Sequence, residues 1–451
     1  MNGNWETKMF KMRHSFTIYI LILFAFAPTP VLGQTVAARN DARYLDQIGG
    51  VTADEAVRIA LEKNDELAAV RKEIDAARGL LRQAKLRPNP SVEFNRREQI
   101  GGPDNNTIIG GSLPLELGGR RNARVKVAEA ELQMRENQVA NSERLLAAEV
   151  RMKFGDALAQ TLKLNVIDRL LESALEGFRL IQARVTEGKI APLDEGMASV
   201  EVNRLRSLRE TESGKTEIAF LELKNMMGMR PEEPLRLKGN FDNLVDKPLP
   251  ITESIQRALQ TRPDLLAFRA AETVAEAQIE KAKAGGRLDA KISADYQRND
   301  FGFPVQGIDQ AGALRPVQDV FHSARIGVTF EIPVRNANQG LIEAAVADSE
   351  AAEKRREFAE IVVRREVAAA YARYESSARA MEIFRVGAQS QANANLEVVR
   401  QTYEFGARNL IEFLVEQRRY LDIENEFIVA QLAVYQANVE IMRATNAPEL
   451  K

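Results

Sequence analysis

The chain has 451 residues, enough for two or three average domains, and 62 Lys plus Arg against 64 Asp plus Glu leave a formal charge of −2. That balance gives no electrostatic pull toward nucleic acid or another polyanion. Cysteine is absent and histidine occurs only at His14 and His322, which excludes disulfides, thiolate zinc sites, iron–sulfur clusters and a cysteine nucleophile.

Lys8, Lys11 and Arg13 precede an apolar run from Phe16 to Phe26, followed by Pro28-Thr-Pro-Val-Leu-Gly33-Gln34. A basic start, a short apolar stretch and small residues at Val31 and Gly33 predict a signal peptide over 1–33 and a mature start at Gln34. The run is shorter than the roughly 20 apolar residues that span a bilayer, so export is the better reading than an anchor.

After an N-terminal segment at 34–50 the sequence repeats itself. Thr52-Ala-Asp-Glu-Ala-Val-Arg-Ile-Ala-Leu61 with Asn64-Asp-Glu-Leu67 returns as Thr252-Glu-Ser-Ile-Gln-Arg-Ala-Leu259 with Arg262-Pro-Asp-Leu265, an offset of 198 from Ala60 to Ala258. Further on, Glu149, Val150 and Phe154 match Glu366, Val367 and Tyr371 at an offset of 217, and Gly188 matches Gly406 at 218. The growth of about twenty residues falls in one segment, 299–321, read as a loop. A proline-studded stretch from Met229 to Pro250 separates the halves. The organisation is therefore a first repeat at 51–240, a linker at 241–250, a second repeat at 251–446 and a tail at 447–451.

Each half reads helix, strand, loop, strand, very long helix, tight turn, helix. Thr52 with Glu55 three residues on is a capping box opening a helix over 53–86, and its partner starts at Thr252 and Glu253. The long helices are expected over 121–186 and 339–404, rich in Ala, Glu, Arg and Leu and free of proline. About 65 residues at roughly 1.5 Å each make a rod near 100 Å. Such rods belong to coiled-coil-like assemblies.

Strands are expected at 91–98, 107–117, 288–298 and 323–332. Leu288, Ala290, Ile292, Ala294 and Tyr296 alternate with Asp289, Lys291, Ser293, Asp295 and Gln297, and Ala324, Ile326, Val328, Phe330 and Ile332 alternate with Ser323, Arg325, Gly327, Thr329 and Glu331. Such alternation fits a half-buried soluble sheet and equally a membrane sheet. Three features favour the membrane: strands of about ten residues, the length that crosses a bilayer when tilted; an export signal without a further apolar helix; and polar, Gly-rich connections at 99–106 and 299–321. Lys291, Asp295, Arg325 and Glu331 would then line water. A spanning sheet must close on itself, and four strands fall short of the roughly eight in the smallest barrels. Several copies must pool their strands; two, three or four satisfy closure.

Pro88-Asn-Pro90 leading into a strand, Leu115-Glu-Leu-Gly-Gly-Arg120 leading into a long helix, and Glu331-Ile-Pro-Val-Arg-Asn-Ala-Asn-Gln-Gly340 at the equivalent place give the chain its resemblance to the TolC-like outer-membrane efflux channels. It covers nearly the whole mature chain, and the strand-to-helix joints are nearest in style to the CzcC-type branch of metal-efflux systems. Many members of that branch carry a lipid on an N-terminal cysteine, which this chain lacks. The resemblance implies a mainly α fold with membrane β structure. Four strands per chain would complete a trimeric twelve-stranded β-barrel in outer-membrane lipid, continued by a long α-helical barrel in the periplasm. It implies a passive duct that works with a periplasmic adaptor and an inner-membrane transporter of the RND type, carrying cargo that includes metal cations in that branch. The competing reading is a secreted or periplasmic helical scaffold without a pore.

Both long helices stop at related turns, Arg184-Val-Thr-Glu-Gly-Lys-Ile-Ala-Pro-Leu-Asp194 and Arg400-Gln-Thr-Tyr-Glu-Phe-Gly-Ala-Arg-Asn-Leu-Ile-Glu412. Gly188 and Gly406 suit a left-handed helix end, and Pro192 suits the start of the returning helix. On spacing alone these are ordinary helical hairpins with solvated charges. The resemblance implies that the turns form the periplasmic tip, where adaptors dock, and that Asp194, Tyr403 and Arg408 join neighbouring helices at a closed entrance. It also places Glu412 where relatives present an acidic ring to cations; Glu416 lies beside Val415, which occupies the second acidic position. An exposed Arg408–Asp194 link would be worth under about 1 kcal/mol, weak enough for a docked adaptor to override.

Other signals are bland. Met226, Met227 and Met229 read as core filling in preference to a copper site, His322 as a rim residue at a strand start, and Gly101-Gly-Pro and Gly118-Gly-Arg lack phosphate-loop spacing. No catalytic constellation, metal site or cofactor motif is expected.

Overall fold

A computed structural model describes residues 41–450 other than 103 and 246. The expected signal peptide, the cleavage before Gln34 and segment 34–40 lie outside those residues. The described elements are α1 (Asp41–Tyr44), α2 (Ala53–Lys63), α3 (Asp65–Lys85), β1 (Ser91–Glu98), β2 (Asn105–Pro114), α4 (Arg120–Thr186), α5 (Pro192–Met226), α6 (Ile251–Thr261), α7 (Pro263–Gly285), β3 (Asp289–Ile308), β4 (Leu314–Glu331), α8 (Gln339–Ile383), α9 (Ser390–Glu404) and α10 (Leu410–Thr445).

Thr52 and Glu55 form the expected capping box at the start of α2. The single helix expected over 53–86 is in fact two. Asn64 leaves the helical region (φ −70°, ψ 115°), and its side chain accepts from the Leu67 N–H to cap α3, because a short amide competes well for the backbone at a cap. Arg262, the equivalent residue, breaks α6 from α7 with φ −65° and ψ 121°, as expected of a residue before proline. The second half also departs at its start. Its first helix opens at Ile251 behind Pro250, with no side-chain cap, so Thr252 lies inside the helix.

The long helix α4 runs 67 residues without interruption, about 100 Å at the α-helical rise. Its counterpart does not: α8 gives way to a π-helical turn at Phe384–Gln389 before α9 continues. A π turn inserts one residue into the helical ladder, and Gly387 within it has no heavy atom within 4 Å of where a Cβ would stand.

The strands form one antiparallel sheet in the order β1-β2-β3-β4, so β2 and β3 pair across the two halves. The second strand starts at Asn105 and ends at Pro114, leaving Leu115 and Leu117 in the joint to α4. Gly118 and Gly119 there take φ +71° and +82°, and a Cβ on Gly118 would lie 2.7 Å from the Arg287 Cβ. The largest correction concerns 299–321. This segment is no loop, because β3 spans 20 residues and β4 spans 18, and a tight turn at Asp309 joins them. The Asp309 carboxylate accepts from the Ala311 and Ala313 N–H groups and pairs with Arg315 at 3.0 Å. Pro304 masked the strand in the sequence; the register shifts between Phe303 and Gln306, where a residue without an N–H is tolerated. His322 consequently lies within β4, not at its start.

The repeat is written in duplicated contacts. Arg71 meets Glu143 at 2.7 Å, and Arg269 meets Glu360 at 3.3 Å. The Asn64 amide donates to the Met226 carbonyl, and the Arg262 guanidinium donates to that of Ala444. These pairs carry the offsets 198 (α3 to α7), 217 (α4 to α8) and 218 (α5 to α10) into three dimensions. The core lies where the helices cross, with Phe154, Leu158, Phe220, Leu223, Leu237 and Val439 buried together. Met227 is buried there, with Met226 and Met229 packed against the cluster. The linker is pinned to this core by Phe241, whose ring lies 5.7 Å from that of Tyr435.

Gly155 on α4 faces that same tyrosine, and a Cβ would stand 2.6 Å from its ring carbons. The Tyr435 hydroxyl, bonded to the Arg151 carbonyl at 3.1 Å, holds the ring in place. Gly155→Ala is therefore expected to lose about 1–3 kcal/mol through overpacking, seen as a lower thermal midpoint in detergent. An unchanged midpoint would mean that the helices separate freely there.

Candidate functional site

Two regions gather the residues singled out in the sequence: the sheet, and the hairpin turns at the far end of the helices. In a sheet, directly paired residues point to one face. Phe94, Ile109, Tyr296 and Ala324 form one such row across all four strands; Val92, Gly111, Ala294 and Ile326 form the next, and Leu113, Ile292 and Val328 a third. Ala290 and Phe330 extend the face toward the helices. The result is a continuous apolar surface, and its large residues are exposed. Toward the hairpin turns it ends at a polar row, Arg96, Thr107, Arg298 and His322, where His322 stacks on Tyr296 with ring centroids 5.9 Å apart.

Lys291, Asp295, Arg325 and Glu331 occupy the opposite face together, in register with Thr329, Gly110 and Asp289. Arg325 and Asp295 are direct neighbours with 3.9 Å between charged atoms. Both outer strands, β1 and β4, have a neighbour on one side only. A single chain thus presents a two-faced open ribbon with two unpaired edges, and among the described residues no helix is long and apolar enough to cross a membrane.

At the other end, α4 and α9 finish in matching Schellman motifs. Gly188 takes φ +70° while the Lys189 N–H reaches the Arg184 carbonyl at 2.9 Å; Gly406 takes φ +77° while the Ala407 N–H reaches Thr402 at 2.9 Å. Pro192 opens α5, and Asn409 caps α10 by accepting from the Glu412 N–H. The two hairpins pack through Ile181, Ala198 and Leu410, with Phe178, Tyr403 and Phe413 around them. Tyr403 stacks on Phe413 at 5.7 Å and nearly parallel. Burial raises its hydroxyl pKa, and the nearby Asp194 carboxylate adds to the rise.

Tyr403 and Asp194 are therefore brought together, but Arg408 is not joined to them. Its guanidinium pairs with Glu412 at 2.8 Å on its own helix, and among the described residues no Arg408–Asp194 ion pair forms within one chain. Glu416 is half-buried, and its Oε1 has no hydrogen-bond partner among the described residues.

The sequence reading missed a stronger joint just behind the tip. Glu201, almost wholly buried, takes Arg204 at 2.7 Å and Arg418 at 3.0 Å, tying α5 to α10. Burial would raise this carboxyl's pKa, but hydrogen bonds from the two arginines bring it below the usual value. Glu201 and Arg204 stand at helical spacing; nothing in the sequence joins them to Arg418. Beside this triad lies a cavity of about 180 Å³ lined by Phe178, Glu201, Arg400, Tyr403, Phe413 and Gln417.

The sequence model of the outer membrane efflux protein family matches residues 56–229 and 254–447, covering both repeats. The chain belongs to that family. As an outer membrane efflux protein it is a channel, which decides against the poreless scaffold. Members of this family are conduits, not enzymes. The chain is 24% identical to the cobalt-zinc-cadmium resistance protein CzcC of Cupriavidus metallidurans over 396 residues, 88% of this chain and 90% of that protein. Its fold is similar to that of the CmeC outer membrane channel of Campylobacter jejuni (TM-score 0.70, 14% identity, 87% of this chain and 85% of the other). It is similar also to the open state of the MtrE channel of Neisseria gonorrhoeae (TM-score 0.69, 18% identity, 87% and 88%). For an efflux protein, the two-faced sheet is the part suited to lipid and the helical hairpins are the part suited to the aqueous side.

Proposed function

We propose that three copies of this chain close a twelve-stranded barrel in the outer membrane and extend a helical duct into the periplasm. The open sheet carries the reading: an apolar face backed by a charged one, with unpaired edges on β1 and β4. Edge groups left in hydrocarbon cost several kcal/mol each, so β4 of one copy pairs with β1 of the next. Lys291, Asp295, Arg325 and Glu331 then face the lumen.

The turns at Gly188, Pro192 and Gly406 form the periplasmic tip and dock an adaptor linked to an RND-type inner-membrane pump. Phe405, 87% exposed beside Gly406, and Leu193, 70% exposed beside Pro192, are apolar contacts available there. Similarity to a cobalt-zinc-cadmium resistance protein supports divalent cations as cargo, with Glu412 and Glu416 at the entrance. Asp194, Tyr403 and Arg408 act as the gate, with Arg408 exchanging its Glu412 contact for Asp194 of a neighbouring copy. Each exposed pair is worth under about 1 kcal/mol, so three hold the entrance only lightly.

Arg408→Ala is accordingly expected to raise single-channel conductance in planar bilayers. Conductance equal to that of the unaltered channel would remove Arg408 from the gate, and absence of any conductance from the unaltered protein would remove the pore.

A further inference from the structure

We propose that each copy leaves open a cavity which the next copy fills, and that the residues filling it are Ile361 and Phe358 of α8. The inference rests on the oligomeric reading above and adds to it the contact that holds one copy against the next.

The argument starts from the seam inside one chain, where α4 of the first half lies against α7 and the end of α10 in the second. Arg144 occupies that seam, with a side chain only 2% exposed. Its guanidinium lies 3.6 Å from Asp264, donates to the Arg443 carbonyl at 2.5 Å and is steadied by Asn141 one turn earlier. Arg144 therefore plugs the second half from the first.

The duplicated contacts fix which residues stand at the same places in the other half. An offset of 217 takes Asn141 and Arg144 to Phe358 and Ile361. Removing 198 from Asp264 gives Glu66, and removing 218 from Arg443 gives Asn225. The Arg71–Glu143 and Arg269–Glu360 ion pairs confirm the first two registers one residue away from Arg144 and Ile361. The Asn64–Met226 and Arg262–Ala444 hydrogen bonds confirm the third one residue away from Asn225 and Arg443.

At the transferred address the structure has a seat and a plug that are apart. Glu66 and Asn225 both line a cavity of about 720 Å³ whose walls include Leu67, Val70, Leu145 and Met226. Ile361 and Phe358, 63% and 65% exposed, project from α8 with nothing covering them. Within one chain α8 already lies against its own α7, so only the α3–α4–α5 cavity of another copy can stand to it as α7 and α10 stand to α4. The chemistry has changed to suit. The inner seam takes a polar pair, Asn141 and Arg144, onto a carboxylate and a carbonyl, whereas the outer seam offers an apolar pair to a cavity in which Leu67, Val70, Leu145 and Met226 stand beside Glu66 and Asn225. Burial of apolar surface needs no matched partner atom, which suits a contact formed between separately folded chains.

The absence of cysteine makes introduced thiols unique. Full-length chain carrying Ile361→Cys with Asn225→Cys, and separately Ile361→Cys with Glu66→Cys, is treated in membranes with a short bismaleimide. The expected result with both pairs is a shift of the monomer band to dimer and trimer bands in denaturing gels, absent from each single variant. Native mass spectrometry of the detergent-extracted protein runs alongside. A trimer by mass that fails to cross-link with either pair overturns the proposed contact while leaving the oligomer intact; a monomer by mass overturns the oligomeric reading itself.

Discussion

Replacing Arg262 with alanine is expected to cost about 3–5 kcal/mol of folding stability, the range for stripping one partner from a buried ion pair. The side chain is 2% exposed and carries three jobs: it meets Asp264 at 2.5 Å, Glu366 at 2.8 Å and the Ala444 carbonyl at 3.3 Å. It thereby ties the break between α6 and α7 to the middle of α8 and to the end of α10. Burial alone would lower its pKa, but the Asp264 and Glu366 carboxylates outweigh that and raise it. Arg144, next in the same cluster, is pushed down to about 10, chiefly by burial. Losing Arg262 leaves two partly buried carboxylates sharing one guanidinium.

The pH dependence has a definite sign. Burial raises the Asp264 pKa, but the bond and charge of Arg262 more than offset it, and the folded value lies below the ordinary one. Its contribution is therefore present above the unfolded carboxyl pKa, about 3.9, and is lost as pH falls through the lower folded value. Arg262→Ala should make the protein unfold at a higher pH on acidification, whereas Arg262→Lys, which keeps the charge but not the planar fork, should fall between. Thermal midpoints in detergent at neutral and acid pH check this. Equal midpoints for all three proteins would show that the seam is held by packing alone.

How far the sequence reached depended on whether the controlling contact was local. The capping box at Thr52, the glycine stops at Gly188 and Gly406 and the alternation in 288–298 involve residues within a turn or a strand of one another, and each is visible as spacing. The break at Asn64 was also local, but an asparagine between two helical patterns carries less weight in the sequence than a proline, so two helices read as one. The strands through 299–321 were hidden for the opposite reason. Glycine, proline and aspartate there suggest a loop, and only the partner strand shows that Pro304 sits at a register shift. The joint of Glu201 with Arg418, and that of Arg144 with Asp264, join residues more than a hundred apart. Periodicity could place each on a helix and could not say which helix it would meet.

Ile326→Arg is expected to abolish insertion into the outer membrane. Ile326 shares a row with Val92 and Ala294, two rows in from the polar edge formed by Arg96, Arg298 and His322, with the Phe94–Tyr296 row between them. That depth is well inside the apolar face. A basic residue facing lipid there costs about 2–4 kcal/mol per chain, or roughly 6–12 kcal/mol over the three copies proposed. Arg325, its immediate neighbour, points to the other face and lies beside Asp295 at 3.9 Å. Arg325→Leu should therefore insert normally and change the channel's preference between cations and anions, because removing one positive charge per copy leaves Asp295 unopposed. Heat-modifiable migration of the outer-membrane fraction reports the first outcome, and the reversal potential in a salt gradient reports the second. Adjacent residues with opposite consequences are a demanding outcome. A half-buried soluble sheet would also reject arginine in its core and accept leucine on its wet side, but it would give neither a heat-modifiable outer-membrane species nor a reversal potential that shifts with Arg325→Leu. Insertion of Ile326→Arg at unaltered levels would place the apolar rows against protein, not lipid.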